Sequence, residues 1–542
     1  MSTAAATFDL VLLHPADNVA VAARPLKAGQ VAAAGSHEVR LATDVPAGHK
    51  VALALIPSGE RVLKYGQTIG FASQAIAPGD WVHSHNLEAG RFARDYDFAK
   101  GVPPDPPPLE GYTFEGYRRA DGRVGTRNYL AVISTVNCSA SVSRYIAQRF
   151  DQKLLAAYPN VDGILALTHK GGCGMQYDGE NHAQLDRVLA GFARHANVGG
   201  YLLVGLGCEV GTLGHLVERQ GLVQIQPTGE RLPAADSQAA DPHTTGSHAA
   251  GSHAARAALP PMLSIQDCGG TLKTVEAGLA AIAEMLPRVN DVRRETVPAS
   301  HLVLATECGG SDGNSGITAN PALGMASDRL VAAGGTVILA ETPEIYGAEH
   351  LLTRRARSRQ VGEKLIERIR WWEQYTASAG VEIDNNPSPG NKAGGLTTIY
   401  EKSLGAVTKG GSTALADVYR YAEPVTARGL VVMDSPGYDP ASITGMVAGG
   451  ANVVAFTTGR GSCYGCRPVP SLKIATNTPM YERMIDDMDL DAGVILAGTP
   501  VEVVGQQIFN LVLEVASGRK TKSEQHGIGE EEFLPWNLGP TL

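Results

Sequence analysis

The segment Leu302-Val303-Leu304-Ala305-Thr306-Glu307-Cys308-Gly309-Gly310-Ser311-Asp312-Gly313 contains the pattern that decides the fold. A short apolar run leads into a polar, glycine-rich loop that continues to Pro321. Glycines allow positive φ angles and a close approach of the backbone. Loops at the carboxyl ends of parallel strands are where open α/β folds place their sites. We therefore predict a buried strand that ends in one wall of an active site.

The same pattern occurs three more times along the chain. Apolar strand patterns run into polar or glycine-rich tips that carry a thiol, at 129–133 before Cys138, 161–167 before Cys173 and 201–204 before Cys208. A single free cysteine is most often a small buried hydrophobe. Four cysteines in one structural context, with Cys308, favour a shared functional role.

Composition and charge restrict the class of protein. The 542 residues are 44% hydrophobic and 19% charged, a balance typical of soluble globular proteins with several domains. A net charge of -9 argues against nucleic acid or an anionic membrane as the main partner. No stretch is apolar enough to span a bilayer, and the N-terminus lacks a signal-peptide pattern. Seven cysteines, an odd number, favour reduced thiols, so we predict a cytoplasmic protein.

Residues 1–95 are predicted to form a small domain made mostly of β-strands. Short alternating apolar segments between 8 and 90 are separated by proline and glycine. Polar side chains lie at the predicted strand edges, among them His14, His49, Lys50 and Lys64. They are either a shared basic face or ordinary solvated surface, and both interpretations stay open.

The rest of the chain is predicted to be α/β. A stiff, proline-rich linker at 96–115 precedes it. Strand patterns then alternate with helical patterns, as expected for mostly parallel, Rossmann-like sheets with crossover helices, and we divide them into domains at 116–300 and 301–542. The low-complexity stretch 228–260 is predicted to be an exposed, poorly ordered insertion.

Further strand tips carry polar residues. The tip 341–344 follows one predicted strand, and Lys392 and Arg460 lie in glycine-rich turns that would suit a carboxylate or phosphate of a small substrate. Most such turns are only turns. Cys463 and Cys466 form a Cys-x-x-Cys pair, but the sequence has neither a thioredoxin-like setting nor a second pair for zinc.

Taken together, these motifs resemble those of the altronate/galactarate dehydratase family over almost the whole chain. The matching stretches are 205–209 (GLGCE), 307–312 (ECGGSD), 317–321 (ITANP), 386–392 (NPSPGNK), 457–461 (TTGRG), 14–18 (HPADN) and 48–50 (GHK). Stretches 343–349 and 394–398 look closer to the altronate branch, and 109–117 looks closer to the galactarate branch. Overall, the resemblance is nearest to the altronate branch.

The resemblance implies both a fold and an activity. We expect an N-terminal SAF-type β domain joined to a large α/β catalytic region. The implied reaction is dehydration of a sugar acid, an altronate-type aldonate or galactarate, to a 2-keto-3-deoxy acid. The implied cofactor is a divalent metal, Fe(II) or alternatively Mn(II). The insertion at 228–260 and the Cys463/Cys466 pair depart from the family pattern.

Dehydration of a sugar acid needs proton transfer, a metal and groups that bind the substrate, and residues at the strand tips are candidates for each role. For removing the proton beside the carboxylate and protonating the leaving hydroxyl, the candidates are His14, His49, Lys50 and His169. A metal would polarise the carboxylate and the 2-hydroxyl, and its candidate ligands are Cys138, Cys173, Cys208, Cys308, Glu209, Glu307 and Asp312. The candidates for substrate binding are Asp17, Asn18, Lys64, Arg127, Asn128, Asn320, Asn391, Lys392 and Arg460.

Two alternatives stay open at this point. Carboxylates suit a hard, substrate-binding metal, whereas a thiolate-only set suits zinc or an iron–sulfur cluster. The protein could also be a sugar-acid-binding protein without catalysis, although binding alone would not need so many thiols and carboxylates. We expect a small-molecule sugar acid as the partner, no nucleic acid or membrane, and a homodimer.

Overall fold

A computed structural model of the protein describes residues 9–90, 94, 96–225, 259–383 and 386–538. The chain divides into two compact units, which we call the large unit (Met1–Glu115 and Thr296–Trp536) and the small unit (Gly116–Glu295 and Asn537–Leu542). No helix among the described residues is long and apolar enough to cross a bilayer. The predicted insertion at 228–260 lies outside the described residues except for its last two positions.

The N-terminal part of the large unit is built from short antiparallel strands. These are β1 (Leu10–Val11), β2 (Val19–Ala22), β3 (Val31–Ala34), β4 (His37–Arg40), β5 (Lys50–Ala52), β6 (Arg61–Lys64), β7 (Gln67–Ala72), β8 (Trp81–Val82) and β9 (Leu87–Glu88). They pair in the orders β1-β2-β5-β8, β3-β4 and β6-β7-β9. Small apolar side chains such as Ala20, Ala22 and Val51 fill a compact core between them. The β-rich N-terminal domain predicted from the sequence is confirmed.

Residues 96–112 contain no helix or strand, and regular structure resumes at 113. The following elements are β10 (Thr113–Arg118), β11 (Val124–Gly125), β12 (Tyr129–Ser134), α1 (Ala140–Ala147), α2 (Gln152–Leu155), β13 (Gly163–Leu167), α3 (Glu180–Ala193), β14 (Val198–Gly205), α4 (Leu213–Gln220), β15 (Met262–Ser264), α5 (Ile265–Cys268), α6 (Thr271–Asn290) and β16 (Arg294–Pro298).

The small unit contains a parallel four-stranded sheet in the order β13-β12-β14-β15. The chain leaves β12 for β13 on one side and then crosses to β14 on the other side, so β12 is a branching point. Leu130, Val132, Leu202 and Val204 face a core that α1 and α6 close with Ile146 and Ile282. Burial on both faces explains why these strands read as continuous apolar runs.

The large unit continues with a second α/β region. Its elements are β17 (Val303–Cys308), α7 (Ala319–Ala332), β18 (Thr336–Leu339), α8 (Glu349–Arg354), α9 (Arg359–Ser378), α10 (Pro389–Ala393), α11 (Ile399–Ala406), β19 (Leu415–Tyr419), β20 (Gly429–Met433), α12 (Asp439–Ala448), β21 (Val453–Thr458), β22 (Ser471–Ala475), α13 (Thr478–Arg483), β23 (Leu490–Asp491), α14 (Val501–Ala516) and α15 (Lys522–His526).

These strands form one parallel seven-stranded sheet in the order β19-β20-β18-β17-β21-β22-β23. β17, the strand of the opening segment, pairs with β18 on one side and with β21 on the other. The chain builds the β18 side first and the β21 side afterwards, so β17 is the branching point of this sheet. The predicted α/β class with mostly parallel sheets is confirmed.

Candidate active site

The candidate site lies where β17 and its neighbours end. Open parallel sheets bind ligands at the carboxyl edge beside the strand at which the chain order reverses, and β17 is that strand here. Side chains that could ligate a metal or exchange protons gather at this edge: Glu307, Cys308, Glu341, Glu344 and Asp439. We call them the acid–thiol cluster.

Two lysines from α11 and the turn after it enter the acid–thiol cluster. Lys409 Nζ donates hydrogen bonds to Cys308 Sγ at 2.8 Å and to Glu341 Oε2 at 2.6 Å. Lys402 Nζ donates to Glu344 Oε1 at 2.5 Å. Burial alone would lower the pKa of Lys409, but Cys308 and Glu341 raise it, and Glu344 does the same for Lys402. Both ammonium groups therefore stay charged and neutralise the two glutamates.

Glu307 and Asp439 have no ammonium partner among the described residues. Ser442 donates to Glu307 Oε2 at 2.8 Å, whereas no donor in the described part of the chain reaches the buried Oε1. Burial, together with Glu341 and Asp439, raises the pKa of Glu307 well above its ordinary value. Burial and the nearby glutamates raise the pKa of Asp439 to about 7. The cluster thus contains more carboxyl groups than its lysines neutralise.

The backbone around the cluster is held in unusual conformations. Glu341 has a φ of 64°, which is uncommon and strained for a residue with a side chain. Its N–H donates to Ser435 Oγ at 2.9 Å, and its carboxylate accepts from the N–H of Cys308 at 3.2 Å. At Gly309, a Cβ atom would lie 2.3 Å from Asp439 Oδ2, so a larger residue would displace that carboxyl. The surrounding structure thus fixes the carboxyl groups in place.

Two sets of side chains in the cluster have ligand atoms within 4.8 Å of one another, as a metal site requires. Cys308, Glu341 and Glu344 form one set, but lysine ammonium groups already contact all three. Glu307, Glu341 and Asp439 form the other set, which includes the unpartnered Oε1 of Glu307. Carboxylate oxygens suit hard divalent cations. The residues of the second set therefore fit a divalent metal.

Lys50, a candidate for proton transfer, and Lys64, a candidate for substrate binding, form a second buried cluster with Glu401. Their Nζ atoms donate to the two carboxylate oxygens of Glu401, each at 2.9 Å, and all three side chains are fully buried. Burial would raise the pKa of Glu401, but the two ammonium groups lower it below its ordinary value. Glu401 and Lys402 are consecutive on α11, so one helix carries the partners of both clusters.

Glycines explain how the motif Gly48-His49-Lys50 packs against the second α/β region. The N–H of Gly313 donates to Gly394 O at 2.8 Å. A Cβ atom on Gly313 would lie 1.9 Å from Gly48 O, and one on Gly395 would lie 2.4 Å from the same oxygen. Such an approach is open only to residues without a side chain.

Of the residues predicted for proton transfer, His14 is the one with an exposed and unengaged side-chain nitrogen. Its Nδ1 accepts from the N–H of Ala16 at 3.1 Å, and its Nε2 has no partner among the described residues. His49 is buried, its Nδ1 accepts from Trp81 Nε1 at 3.1 Å, and burial lowers its pKa to about 4. Lys50 is engaged with Glu401.

His169, the fourth such residue, is buried in the small unit. Its Nδ1 accepts from the N–H of Gly171 at 3.1 Å, so the neutral ring carries its proton on Nε2, which donates to Ser134 O at 3.0 Å. Burial lowers the pKa of His169 to about 4. Catalysis by this ring would require it to give up one of these backbone hydrogen bonds.

Two of the predicted substrate ligands present cationic side chains at the sheet edge of the large unit. Arg460 is exposed directly after β21, and its N–H donates to Gly310 O at 2.8 Å. Lys392 is half-buried on α10. Neither side chain has an ion-pair partner among the described residues, so both are available to an anionic ligand.

The other predicted substrate ligands of the large unit hold the backbone in place. Asp17 accepts from three backbone N–H groups, and Asn18 bonds the backbone of residues 61 and 63. Asn320 and Asn391 each donate to a backbone carbonyl. Asp312, a predicted metal ligand, accepts from the side chains of residues 315, 476 and 477. These groups shape the loops around the site.

In the small unit, Arg127 and Asn128 directly precede β12, so they lie at the amino end of its sheet. Both are buried, and Asn128 donates to backbone carbonyls at 160 and 289. Glu209 is also buried, and its carboxylate accepts from Thr135 Oγ1 at 3.0 Å and from the N–H of Gly207 at 2.6 Å. In this structure all three are engaged within the protein.

The predicted thiol ligands fall in both units. Cys138, Cys173 and Cys208 are exposed in the small unit, whereas Cys308 is buried in the acid–thiol cluster of the large unit. That all four surround one metal stays a prediction. Cys463 and Cys466 are free thiols.

Sequence reasoning missed Lys402, Lys409, Asp439 and Glu401. Charged residues inside otherwise apolar helical stretches were the available signal, because such residues are rarely buried without a partner.

Sequence reasoning also missed His182, Asp186 and His215 of the small unit, whose ligand atoms lie within 4.8 Å of one another. His182 Nδ1 accepts the N–H of Asp178 at 3.0 Å, so the neutral ring carries its proton on Nε2, 3.7 Å from Asp186 Oδ1, which argues against a metal there.

Comparison with protein families places each part of the chain. The profile "Altronate/galactarate dehydratase SAF domain" matches residues 8–90. The profile "D-galactarate dehydratase/Altronate hydrolase, second domain" matches 116–290, and "D-galactarate/Altronate dehydratase, C-terminal" matches 299–541. The expectation of an N-terminal SAF domain is confirmed.

Curated relatives align along nearly the whole chain. Galactarate dehydratase (L-threo-forming) of Escherichia coli is 39% identical over 539 residues, 98% of this chain and 97% of that protein. Altronate dehydratase of Bacillus subtilis is 35% identical over 535 residues, 98% of this chain and 99% of that protein. The beta subunit of (2R)-sulfolactate sulfo-lyase of Chromohalobacter salexigens is 30% identical over 436 residues, 79% of this chain and 97% of that protein.

These identities do not favour the altronate branch over the galactarate branch. They agree with the motifs at the strand tips and with the three family profiles, which follow one another along the chain. The chain belongs to the D-galactarate/altronate dehydratase family.

Proposed function

We propose that this protein is a hydro-lyase that removes water from a sugar acid, either an altronate-type aldonate or galactarate, to give a 2-keto-3-deoxy acid. The observation that carries this proposal is the acid–thiol cluster, which lies at the branching point of the large sheet. The chain around it aligns with galactarate and altronate dehydratases over 97% to 99% of their length.

The chemistry of the reaction explains the composition of the cluster. Removing the proton beside a carboxylate builds up negative charge, and that charge must be stabilised before the C3 hydroxyl leaves. Lys402 and Lys409 are buried and remain protonated, so they supply fixed positive charge at this edge. Sulfolactate, the substrate named for the more distant relative, is likewise a 2-hydroxy acid with a leaving group on C3.

We infer that Glu307, Glu341 and Asp439 hold a divalent metal, for which Fe(II) is our choice and Mn(II) the alternative. When bound, such an ion would polarise the carboxylate and the 2-hydroxyl of the substrate as a Lewis acid. The unpartnered Oε1 of the buried Glu307 and the excess of carboxyl groups over lysines support this assignment.

The remaining tasks are assigned to side chains that are not already engaged. His14 exposes an unengaged ring nitrogen, so we assign proton transfer to it ahead of His49, Lys50 and His169. Arg460 and Lys392 lack ion-pair partners among the described residues, so we assign binding of the substrate carboxylate to them. A cytoplasmic location and a homodimer stay predictions from the sequence.

Turnover by purified protein tests the proposal. The protein, kept anaerobic with reductant and ferrous iron, is incubated with altronate and with galactarate, and the 2-keto-3-deoxy product is measured. Product from one acid assigns the branch. Saturable binding of both acids without any product would contradict the proposal and support the binding-protein alternative.

Replacing Cys308 is a second test of the site. Cys308→Ala removes the acceptor of one Lys409 hydrogen bond, and we expect product formation to be abolished while the circular dichroism spectrum is unchanged. Full activity of this variant would show that the thiol serves only packing.

A further inference from the structure

The small unit exposes three thiols at one edge of its sheet. Cys138, Cys173 and Cys208 follow β12, β13 and β14, and all three are exposed and free. Cysteine is among the residues most often buried, and an exposed free thiol is open to oxidation. Three of them after three neighbouring strands therefore call for a function.

The register of the strands brings the three cysteines to one level. Ile133 of β12 pairs with Leu167 of β13 and with Leu203 of β14. Cys138 lies five residues after Ile133, Cys208 five residues after Leu203, and Cys173 six residues after Leu167. Neighbouring strands lie about 4.8 Å apart, so the three tips are side by side. β12 is also the branching strand of this sheet, where α/β folds place their ligands.

Hydrogen bonds tie the tip that carries Cys138 to the tips on both sides. The N–H of Asn137 donates to Gly171 O at 3.0 Å, toward the tip of Cys173. Ser139 Oγ donates to Val204 O at 2.7 Å, and Thr135 Oγ1 donates to Glu209 Oε1 at 3.0 Å, toward the tip of Cys208. The residues on either side of Cys138 are thus fixed to both neighbouring strand ends.

The spacing favours a polynuclear cluster over a single ion. Thiolates about 2.3 Å from one tetrahedral zinc lie about 3.8 Å from each other. In the described structure these three sulfurs do not form a set within 4.8 Å of one another. A four-iron cluster holds its cysteine sulfurs on separate iron atoms and so spreads them more widely, and thiolates are the ligands such clusters select.

We propose that Cys138, Cys173 and Cys208 bind a four-iron, four-sulfide cluster through three thiolates, which leaves one iron without a cysteine. Gln266 Nε2 donates to Cys208 Sγ at 3.3 Å, a contact of the kind that tunes such clusters. Cys268, half-buried at the end of α5, stays outside the ligand set. The proposal concerns the small unit and does not depend on the acid–thiol cluster.

The test uses the full chain, isolated anaerobically and reconstituted with ferrous iron and sulfide. We expect about four acid-labile sulfide ions per chain and about four iron ions in addition to any ion that the acid–thiol cluster holds, with visible charge-transfer absorption. Among the sulfide-bound irons, Mössbauer spectra of protein loaded with ⁵⁷Fe should show one site that differs from the other three. Cys138→Ser, Cys173→Ser and Cys208→Ser should each lose most of the labile sulfide, whereas Cys268→Ser and Cys463→Ser should keep it.

Other outcomes would overturn the proposal. These are wild-type protein that takes up no labile sulfide, protein in which the three cysteines hold a single zinc or iron ion without sulfide, and a variant lacking all three cysteines that keeps the cluster. Loss of the cluster in Cys268→Ser would contradict the ligand set. Thermal melting of each variant checks its folding, and the Mössbauer spectrum of the wild type tests the assignment even if a variant fails to fold. None of these measurements needs turnover, so they separate this proposal from the proposed activity.

Discussion

The acid–thiol cluster and the thiol edge of the small unit occupy equivalent places in two parallel sheets. Each follows the strand at which the chain order reverses, β17 in one sheet and β12 in the other. The first consists of buried glutamates and a buried thiol with the half-buried Asp439, and two lysines contact Cys308, Glu341 and Glu344. The second consists of exposed thiols without ammonium partners in the described structure. The same position in the two sheets thus carries mainly carboxyl groups in the large unit and thiols in the small unit.

The difference teaches that burial decides which partners a site needs. A buried charge without a partner costs several kcal/mol, so the large unit must supply Lys402 and Lys409 to its acids. An exposed thiol carries no such cost, so the small unit needs only loops that hold its cysteines at one level. Variants that remove a partner should therefore harm the large unit most.

The largest effect is expected at Lys409. Lys409→Met leaves Glu341 buried without its ammonium partner, and breaking a buried pair of this kind costs about 3–5 kcal/mol. All four tryptophans, Trp81, Trp371, Trp372 and Trp536, lie in the large unit, so urea unfolding followed by tryptophan fluorescence reports this unit.

Lys364→Met is the matched control for Lys409→Met. Lys364 pairs with Asp417 at 2.7 Å, but its side chain is 44% exposed, and we expect a loss within about 1 kcal/mol. Equal effects of the two substitutions would break the contrast between buried and exposed pairs.

A smaller effect, with a defined pH dependence, is expected from His169 in the small unit. Its pKa is about 4 in the folded protein and about 6.5 in an unfolded chain. The unfolded chain therefore binds the proton first, and stability falls as the pH drops from about 6.5 to 4, by about 3 kcal/mol in total. His169→Gln should remove this share of the acid sensitivity.

Proteolysis in urea at pH 7 and at pH 4.5, with fragments from 116–225 identified by mass spectrometry, measures the effect of His169 in its own unit. The quantity compared is the change in resistance to proteolysis between the two pH values. Hydrogen bonds that the variant lacks at both pH values do not contribute to this change. An unchanged pH dependence in His169→Gln would show that the ring is not buried in its neutral form.

The smallest effect is expected at Gly313, where the loop after β17 contacts the N-terminal domain. In Gly313→Ala the new methyl group would lie 1.9 Å from Gly48 O, and we expect a cost of about 1–3 kcal/mol because the backbone must shift. Tryptophan fluorescence in urea again reports it. Gly390→Ala, whose new methyl group would make an ordinary contact at 3.8 Å, is the control and should be nearly neutral.

The sequence predicted the strands and the place of the site. Apolar runs such as Leu302–Leu304 before Cys308 indicated buried strands, and the glycine-rich tips indicated their carboxyl ends. Both conclusions depend on residues that are close in the chain. For that reason the fold class and the sheet edge at β17 were within reach without a structure.

The partners of buried charges could not be predicted in the same way. Lys50 was predicted to transfer protons and Lys64 to bind the substrate, but both pair with Glu401, more than 300 residues away. Lys409 meets Cys308 in the same manner, across 101 residues. Such pairs are set by how the elements pack, and neither periodicity nor spacing contains that information.

The central claim is that the carboxyl groups at the end of β17 hold the metal ion that the proposed dehydration needs. Glu307→Gln tests it most directly, because the amide has the same shape, while the carboxylate oxygen that has no donor in the described structure is lost. The measurement is the rate of 2-keto-3-deoxy acid formation from altronate and galactarate by variant and wild type under the same anaerobic conditions. We predict a loss of activity of at least about 100-fold with unchanged tryptophan fluorescence in urea, the scale typical for a group that acts in catalysis. A variant with the full wild-type rate would contradict the account.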